Sequence, residues 1–223
     1  NRSMPEEINR ILTDHISSLL FCPTKNAVTI LKSEGIENGV LFSGDVMYDL
    51  FILNSKNIEK IIDPFILVTI HRPINTDSPS SLRAILKSLE KINKTKKVIF
   101  PAHPRTIKKI KDFGINTKLD LVDPFNYHEM INHLCEADMI ITDSGGVQKE
   151  SFFAKTKCLT IREETEWVEL VDAGVNLLCS PSENEILKSY EKLSKKECNF
   201  NLNLYGDGKA ASKILNSILE YHK

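Results

Sequence analysis

Three short strings in this sequence place chemically capable side chains directly behind apolar runs. The first is Met139-Ile-Ile-Thr142-Asp143-Ser144-Gly145-Gly146-Val147-Gln148-Lys149-Glu150. An apolar strand that runs into Asp-Ser-Gly-Gly and then a helix lets the backbone approach a ligand closely, and the N–H groups of the first helical turn favour an anion. Ser144 adds a hydroxyl donor for a phosphate oxygen, and Glu150, a turn into the helix, is spaced to reach the diol of a ribose. The string equally suits a plain tight turn with Ser144 or Asp143 as the helix cap. Two adjacent glycines are less specific than a full P-loop.

The second string is His71-Arg72, directly behind Phe65-Ile-Leu-Val-Thr-Ile70, and the third is Pro101-Ala-His103-Pro104-Arg105, behind the next apolar run. In an open parallel sheet, ligands bind beyond the carboxyl ends of the strands, which is where both strings fall. A single histidine is more often a hydrogen-bonded structural residue than a catalyst. Two His-with-Arg placements behind successive strands imply a site for a multiply charged anion, because guanidinium and imidazolium groups both donate to phosphate oxygens. Glu6 and Glu7 open the first helical pattern, where carboxylates complement the helix dipole.

The elements that must position these groups alternate short β-branched runs with longer amphipathic ones, the pattern of a doubly wound parallel sheet. Residues 5–17 share a helical face through Ile8, Ile11, Leu12, His15 and Ile16. A strand at 19–22, a helix capped by Thr24, a strand at 39–42 and a helix from Val46 to about Ile62 follow. Asp63-Pro64 breaks the pattern and marks a domain boundary. Beyond it we expect strands at 65–70, 97–100, 119–122, 139–142 and 157–161. Helices are expected at 80–92, 106–113, 127–135, 146–154 and 209–221.

Composition excludes several classes. Acidic and basic residues nearly cancel, giving a formal net charge of −1 over 223 residues. No basic excess is available to displace counterions, which argues against nucleic acid as a partner. The Lys-rich stretch from Lys91 to Lys97 reads as a solvated helix end or loop. Five scattered cysteines (Cys22, Cys135, Cys158, Cys179, Cys198) have neither Cys-x-x-Cys nor metal-ligand spacing, so we expect reduced thiols in a cytoplasmic protein and no metal site. No long apolar span suggests a membrane segment, and no Gly-x-Gly-x-x-Gly fingerprint suggests a nicotinamide cofactor; none is expected.

Taken together, the strings resemble the non-hydrolysing UDP-N-acetylglucosamine 2-epimerases. The matching pieces are Met4-Pro-Glu6-Glu7-Ile8-Asn9 with Arg10 and Thr13-Asp14-His15; Gly44-Asp45-Val46-Met47-Tyr48-Asp49; Val68-Thr69-Ile70-His71-Arg72; Pro101-Ala102-His103-Pro104-Arg105-Thr106; Thr142-Asp143-Ser144-Gly145-Gly146-Val147-Gln148; Arg162-Glu-Glu-Thr165-Glu166-Trp167; and Tyr205-Gly206-Asp207-Gly208-Lys209. They occur in family order over essentially the whole chain.

The resemblance implies the second domain of a two-domain GT-B-type architecture with Rossmann-like sheets. Residues 1–60 would close the N-terminal domain, 61–204 would form the UDP-binding domain, and 205–223 would be a terminal helix packing back across. The family's N-terminal strands, which supply further catalytic carboxylates, are expected to lie outside this chain, so the fragment alone is expected to be inactive. The implied reaction is reversible inversion at C2 of UDP-N-acetylglucosamine by elimination and re-addition of UDP, for cell-surface polysaccharide synthesis. A homodimer is implied for the full-length protein.

Carried over by position, Glu6 falls on a catalytic carboxylate and His71 on an essential histidine. Ser144, Gly145 and Gly146 fall on the diphosphate turn, Glu150 on the ribose contact, and Phe125 and Met130 near the uracil. Arg72 and His103 fall on a regulatory UDP-sugar site found in part of the family. The carry-over replaces the helix-dipole reading of Glu6. The chain departs from the family's His-Arg-x-Glu-Asn at His71-Arg72-Pro73-Ile74-Asn75, which affects local support of the histidine. Two other readings stand: a UDP-sugar glycosyltransferase of the same architecture, and a nucleotide-binding module without catalysis.

Overall fold

The computed structural model describes residues 5–56, 58 and 63–221. The chain divides into two compact units, Asn1–Leu53 with Leu202–Lys223, and Asn54–Asn201.

The larger unit is a six-stranded parallel sheet. Its strands are β3 (Phe65–Thr69), β4 (Lys97–Pro101), β5 (Leu121–Val122), β6 (Met139–Thr142), β7 (Lys157–Ile161) and β8 (Asn176–Cys179), in the order β5-β4-β3-β6-β7-β8. Counted within the unit this is 3-2-1-4-5-6, the order of a doubly wound dinucleotide-binding sheet. β3 and β6 are the central pair, with Thr69 opposite Thr142, so the strand order reverses between them. All five residues of β3 and all four of β6 are buried, as continuous apolar runs in a sheet covered on both faces require.

The covering helices are α5 (Pro79–Ile92), α6 (Pro104–Asp112), α7 (Tyr127–Glu136), α8 (Gly145–Phe153) and α10 (Glu183–Ser194), with short helices α4 (Pro73–Thr76) and α9 (Val168–Asp172). Leu82, Leu86 and Leu89 of α5 and Ile186 and Leu193 of α10 close one core with Val68, Phe100, Ile141 and Ile161 of the sheet. Three helix starts follow from their caps. Ser78 accepts from Ser81 N–H at 3.3 Å, Ser182 accepts from Glu185 N–H at 3.3 Å, and Asn126 forms a reciprocal capping box with Glu129.

The smaller unit contains α1 (Pro5–Ile16), β1 (Leu20–Cys22), α2 (Lys25–Ser33), β2 (Val40–Phe42), α3 (Val46–Asn54) and α11 (Ala210–Tyr221), with β1 and β2 parallel. Thr24 caps α2 through Ala27 N–H. Gly44 (φ 85°) and Gly206 (φ 89°) meet backbone to backbone; a Cβ on Gly206 would stand 2.9 Å from Gly44 Cα. Only glycine permits that φ and that approach together. Asp45 N–H donates to Tyr205 O at 2.9 Å, and the Asp49 carboxylate accepts from Ala210 and Ala211 N–H at 3.0 and 2.8 Å, capping α11. The Gly44–Asp49 and Tyr205–Lys209 strings thus hold each other.

Several expectations shift. The helix from Val46 ends at Asn54; the remainder to Ile62 falls largely at 57 and 59–62, outside the described residues. β5 begins two residues later than expected, and α6 two residues earlier because Pro104 sits in its first turn. The elements α4, α9, β8 and α10 add to the expected set. The apolar stripe of α1 is exposed at Ile8, Leu12 and Ile16. All five cysteines are free thiols; Cys22, Cys158 and Cys179 are buried, and burial pushes Cys158 up to about 11 and Cys179 up to about 12. Among the described residues no helix is long and apolar enough to cross a membrane, and no group of three His, Cys, Asp or Glu could hold a metal ion.

Candidate functional site

The chemistry gathers where β3 and β6 end. Two threonines, Thr69 and Thr142, face each other there with hydroxyls 2.6 Å apart. Asp143 N–H donates to Thr69 O, and Thr142 Oγ1 accepts from Ser144 N–H at 3.0 Å. The two strands therefore release their chains into turns that are already tied together.

Asp143 makes the tie. Its fully buried carboxylate accepts from His71 N–H at 3.0 and 3.1 Å, from Arg72 N–H at 2.9 Å and from Asn75 Nδ2 at 3.0 Å. Asn75 also donates to Ile161 O on β7 at 3.0 Å. A buried carboxylate is tolerated when donors satisfy it. The His71 ring is 40% exposed, with Nδ1 3.7 Å from Asp143 Oδ1, a Coulombic contact rather than a hydrogen bond.

The turn of α8 lies beside this clamp. Ser144 takes the N-cap position without a side-chain cap hydrogen bond, so neither Ser144 nor Asp143 caps the helix as a plain turn would require. The first intrahelical bond is Gln148 N–H to Ser144 O at 3.3 Å. Gln148 is fully buried, and its Oε1 accepts from Thr165 Oγ1 at 2.7 Å and Asn176 Nδ2 at 3.0 Å. Trp167 Nε1–H donates to Gly145 O at 2.9 Å, and the Lys149 ammonium lies 4.5 Å from the indole centroid. Glu150 is 9% exposed, and burial raises its carboxyl to about 7, with Lys149 pulling it back down.

A cleft of about 180 Å³ opens at the ends of β3 and β4, lined by His71, His103, Phe125, Met130, Pro101 and Val147 among others. The His71 and His103 rings are 5.8 Å apart. His103 Nδ1 accepts from Arg105 N–H at 3.1 Å, which leaves Nε2 as the donor of the neutral ring. Phe125 stacks on His133 at 4.1 Å between centroids. Arg105 points elsewhere: it pairs with Asp77 at 2.6 Å and donates to Thr76 Oγ1 at 3.2 Å.

The structure thus brings His71, His103, Phe125 and Met130 to one cleft, and joins His71 and Arg72 to the β6 turn through Asp143. Ser144, Gly145, Gly146 and Glu150 sit on the adjoining helix and do not line the cleft. The side chain of Glu6 lies outside what is described. The roles of Asp143 as a clamp, of Asn75 and of Gln148 were not read from the sequence. The readable signal was polar residues of fixed reach (Asp, Asn, Gln) inside otherwise apolar strings.

Fold and site together define a Rossmann-like α/β protein whose polar and cationic groups converge at the strand-order reversal. Residues 1–219 match a family model described as UDP-N-acetylglucosamine 2-epimerase, and the chain belongs to that family. It is 42% identical over 223 residues to a Pseudomonas aeruginosa UDP-2,3-diacetamido-2,3-dideoxy-D-glucuronate 2-epimerase, covering 96% of this chain and 63% of the relative. It is 38% identical over 244 residues to a Methanocaldococcus jannaschii UDP-N-acetylglucosamine 2-epimerase, covering 100% of this chain and 66% of the relative. The crystal structure of the M. jannaschii UDP-GlcNAc 2-epimerase in complex with UDP-GlcNAc and UDP aligns with a TM-score of 0.88 at 37% identity, covering 99% of this chain and 66% of that one. The chain spans about two-thirds of the length of these relatives.

Proposed function

We propose that the whole protein is a non-hydrolysing UDP-N-acetylglucosamine 2-epimerase. The observation that carries the reading is the Asp143 clamp, which joins a histidine–arginine turn to a glycine-rich helix start at the reversal point of a parallel sheet. Family membership over residues 1–219 supports it.

In this reading a carboxylate base takes the C2 proton while the C1–oxygen bond breaks and UDP departs with the bonding electrons. UDP then returns to C1 as a proton is delivered to the opposite face of C2. Glu6 is assigned to proton transfer. His71 faces the departing diphosphate, which Ser144 and the N–H groups of Gly145 and Gly146 also hold. Glu150 accepts from the ribose hydroxyls, Phe125 and Met130 border the uracil, and Arg72 and His103 form a regulatory sugar-nucleotide subsite. The assigned domains are 1–60, 61–204 and 205–223, in a homodimer of the cytoplasm without a metal or organic cofactor.

The 42% identity to an epimerase of a diacetamido uronate supports offering that sugar nucleotide as a second substrate. The test is proton NMR of each UDP-sugar with the whole protein in heavy water. Deuterium at C2 with the UDP-sugar intact is expected; release of free sugar and UDP would reject the non-hydrolysing assignment. No exchange at C2 with either sugar would reject the epimerase.

A further inference from the structure

Glu166 has no part in the reaction above, yet its carboxylate lies against the glycine turn of α8. A Cβ on Gly145 would stand 2.5 Å from Glu166 Oε1 and 3.5 Å from Arg72 Nη2. Oε1 is 3.6 Å from Arg72 Nη2, and Oε2 accepts from Arg162 Nη1 at 2.7 Å. The next residue is fixed on the same helix, because Trp167 donates its indole N–H to Gly145 O and its backbone N–H to Thr165 Oγ1, itself bonded to Gln148. A carboxylate between two guanidinium groups at the first turn of a helix is the arrangement an oxyanion ligand would adopt there. The turn already holds an anion of its own.

We propose that Glu166 is a displaceable internal counter-anion that sets the affinity of the diphosphate subsite. With no ligand bound, it engages Arg72 and Arg162 and lies against the start of α8. An entering diphosphate takes over Arg162 and the helix-start N–H groups and moves the carboxylate off Gly145 and Arg72. The proposal rests on reading the Gly145–Gly146 turn as that subsite. Displacement follows from space and charge: a phosphate oxygen approaching Gly145 Cα needs the volume that Glu166 Oε1 holds, and two anions repel at that separation. The Glu166 side chain is 42% exposed and can turn to solvent, whereas that of Arg162 is 13% exposed and held in place. Moving the carboxylate subtracts from the observed affinity of any ligand whose phosphates reach the turn, and from no other.

The test is calorimetric titration of UDP and of inorganic pyrophosphate into the whole protein and its Glu166→Gln variant, with uridine binding followed by saturation-transfer NMR. The variant is expected to bind UDP and pyrophosphate about 5- to 30-fold more tightly, by the same factor for each, as loss of two partly exposed ion pairs and one helix-end charge implies. Uridine is expected to bind both forms alike. Equal or weaker UDP binding by the variant overturns the proposal. Tightening of uridine by the same factor also overturns it, since that reports a general change in the fold. Failure of the unaltered protein to bind UDP overturns the reading of the turn, and this proposal with it.

Discussion

At the scale of single residues, Asp143 and Glu150 are both buried carboxylates, and they differ in the hydrogen-bond donors that surround them. Asp143 accepts from two backbone N–H groups and an amide, so its buried oxygens are satisfied within the protein. Asp143→Ala would leave those donors buried and unpaired and should cost about 3 kcal/mol or more in urea unfolding. Among the described contacts Glu150 has no such set of donors, and its carboxyl rises from 4.5 to about 7. A group that binds its proton more tightly in the folded state stabilises the fold fully below its unfolded value and loses that contribution as pH rises through the folded one. Stability should therefore fall between about pH 4.5 and pH 7, by at most about 3 kcal/mol from this group. Glu150→Gln should remove that part of the pH dependence, measured as the difference between the two urea titration series.

At the scale of elements, α8 is the one most constrained by its first turn. Gly145→Ala puts a methyl group where Glu166 Oε1 now sits and where a phosphate would approach. We expect UDP affinity to fall about tenfold or more, measured by calorimetry, with α8 intact because alanine is the better helix former. The central elements were legible in the sequence because fully buried strands leave continuous apolar runs. The runs at 65–69, 139–142 and 157–161 each became a strand. The edge was not: β8 is only Asn-Leu-Leu-Cys, and its two middle residues are half-buried, so its pattern is short and mixed. Its helix α10 was signalled by Ser182 three residues ahead of Glu185, a capping pattern easily missed among many Ser and Glu residues. Within the candidate site, position at the carboxyl end of a strand was legible where polar residues follow the strand directly, as at His71 and Ser144. The site was not legible where two strings distant in sequence must meet, as Asp143 meets Asn75, because single-string reasoning carries no information on reach across the sheet.

At the scale of the molecule, the two units bury their apolar groups unequally. The unit at Asn54–Asn201 seals β3, β6 and β7 on both faces, while the other exposes Ile8, Leu12, Ile16, Leu215 and Leu219 around a two-stranded sheet. Opening free energy follows buried contact, so hydrogen exchange of this chain should be slowest at the amides of β3, β6 and β7 and fastest in α1 and β1–β2. Equal protection across both units, read by mass spectrometry, would refute this. The chain also has a single tryptophan, Trp167, bonded to the carbonyl of Gly145 with the Lys149 ammonium over its ring. Any event at the glycine turn must alter the electric field at that indole, so the protein carries a native optical reporter. Its ultraviolet emission should shift as the turn fills, and stopped-flow fluorescence could time that step without an attached dye.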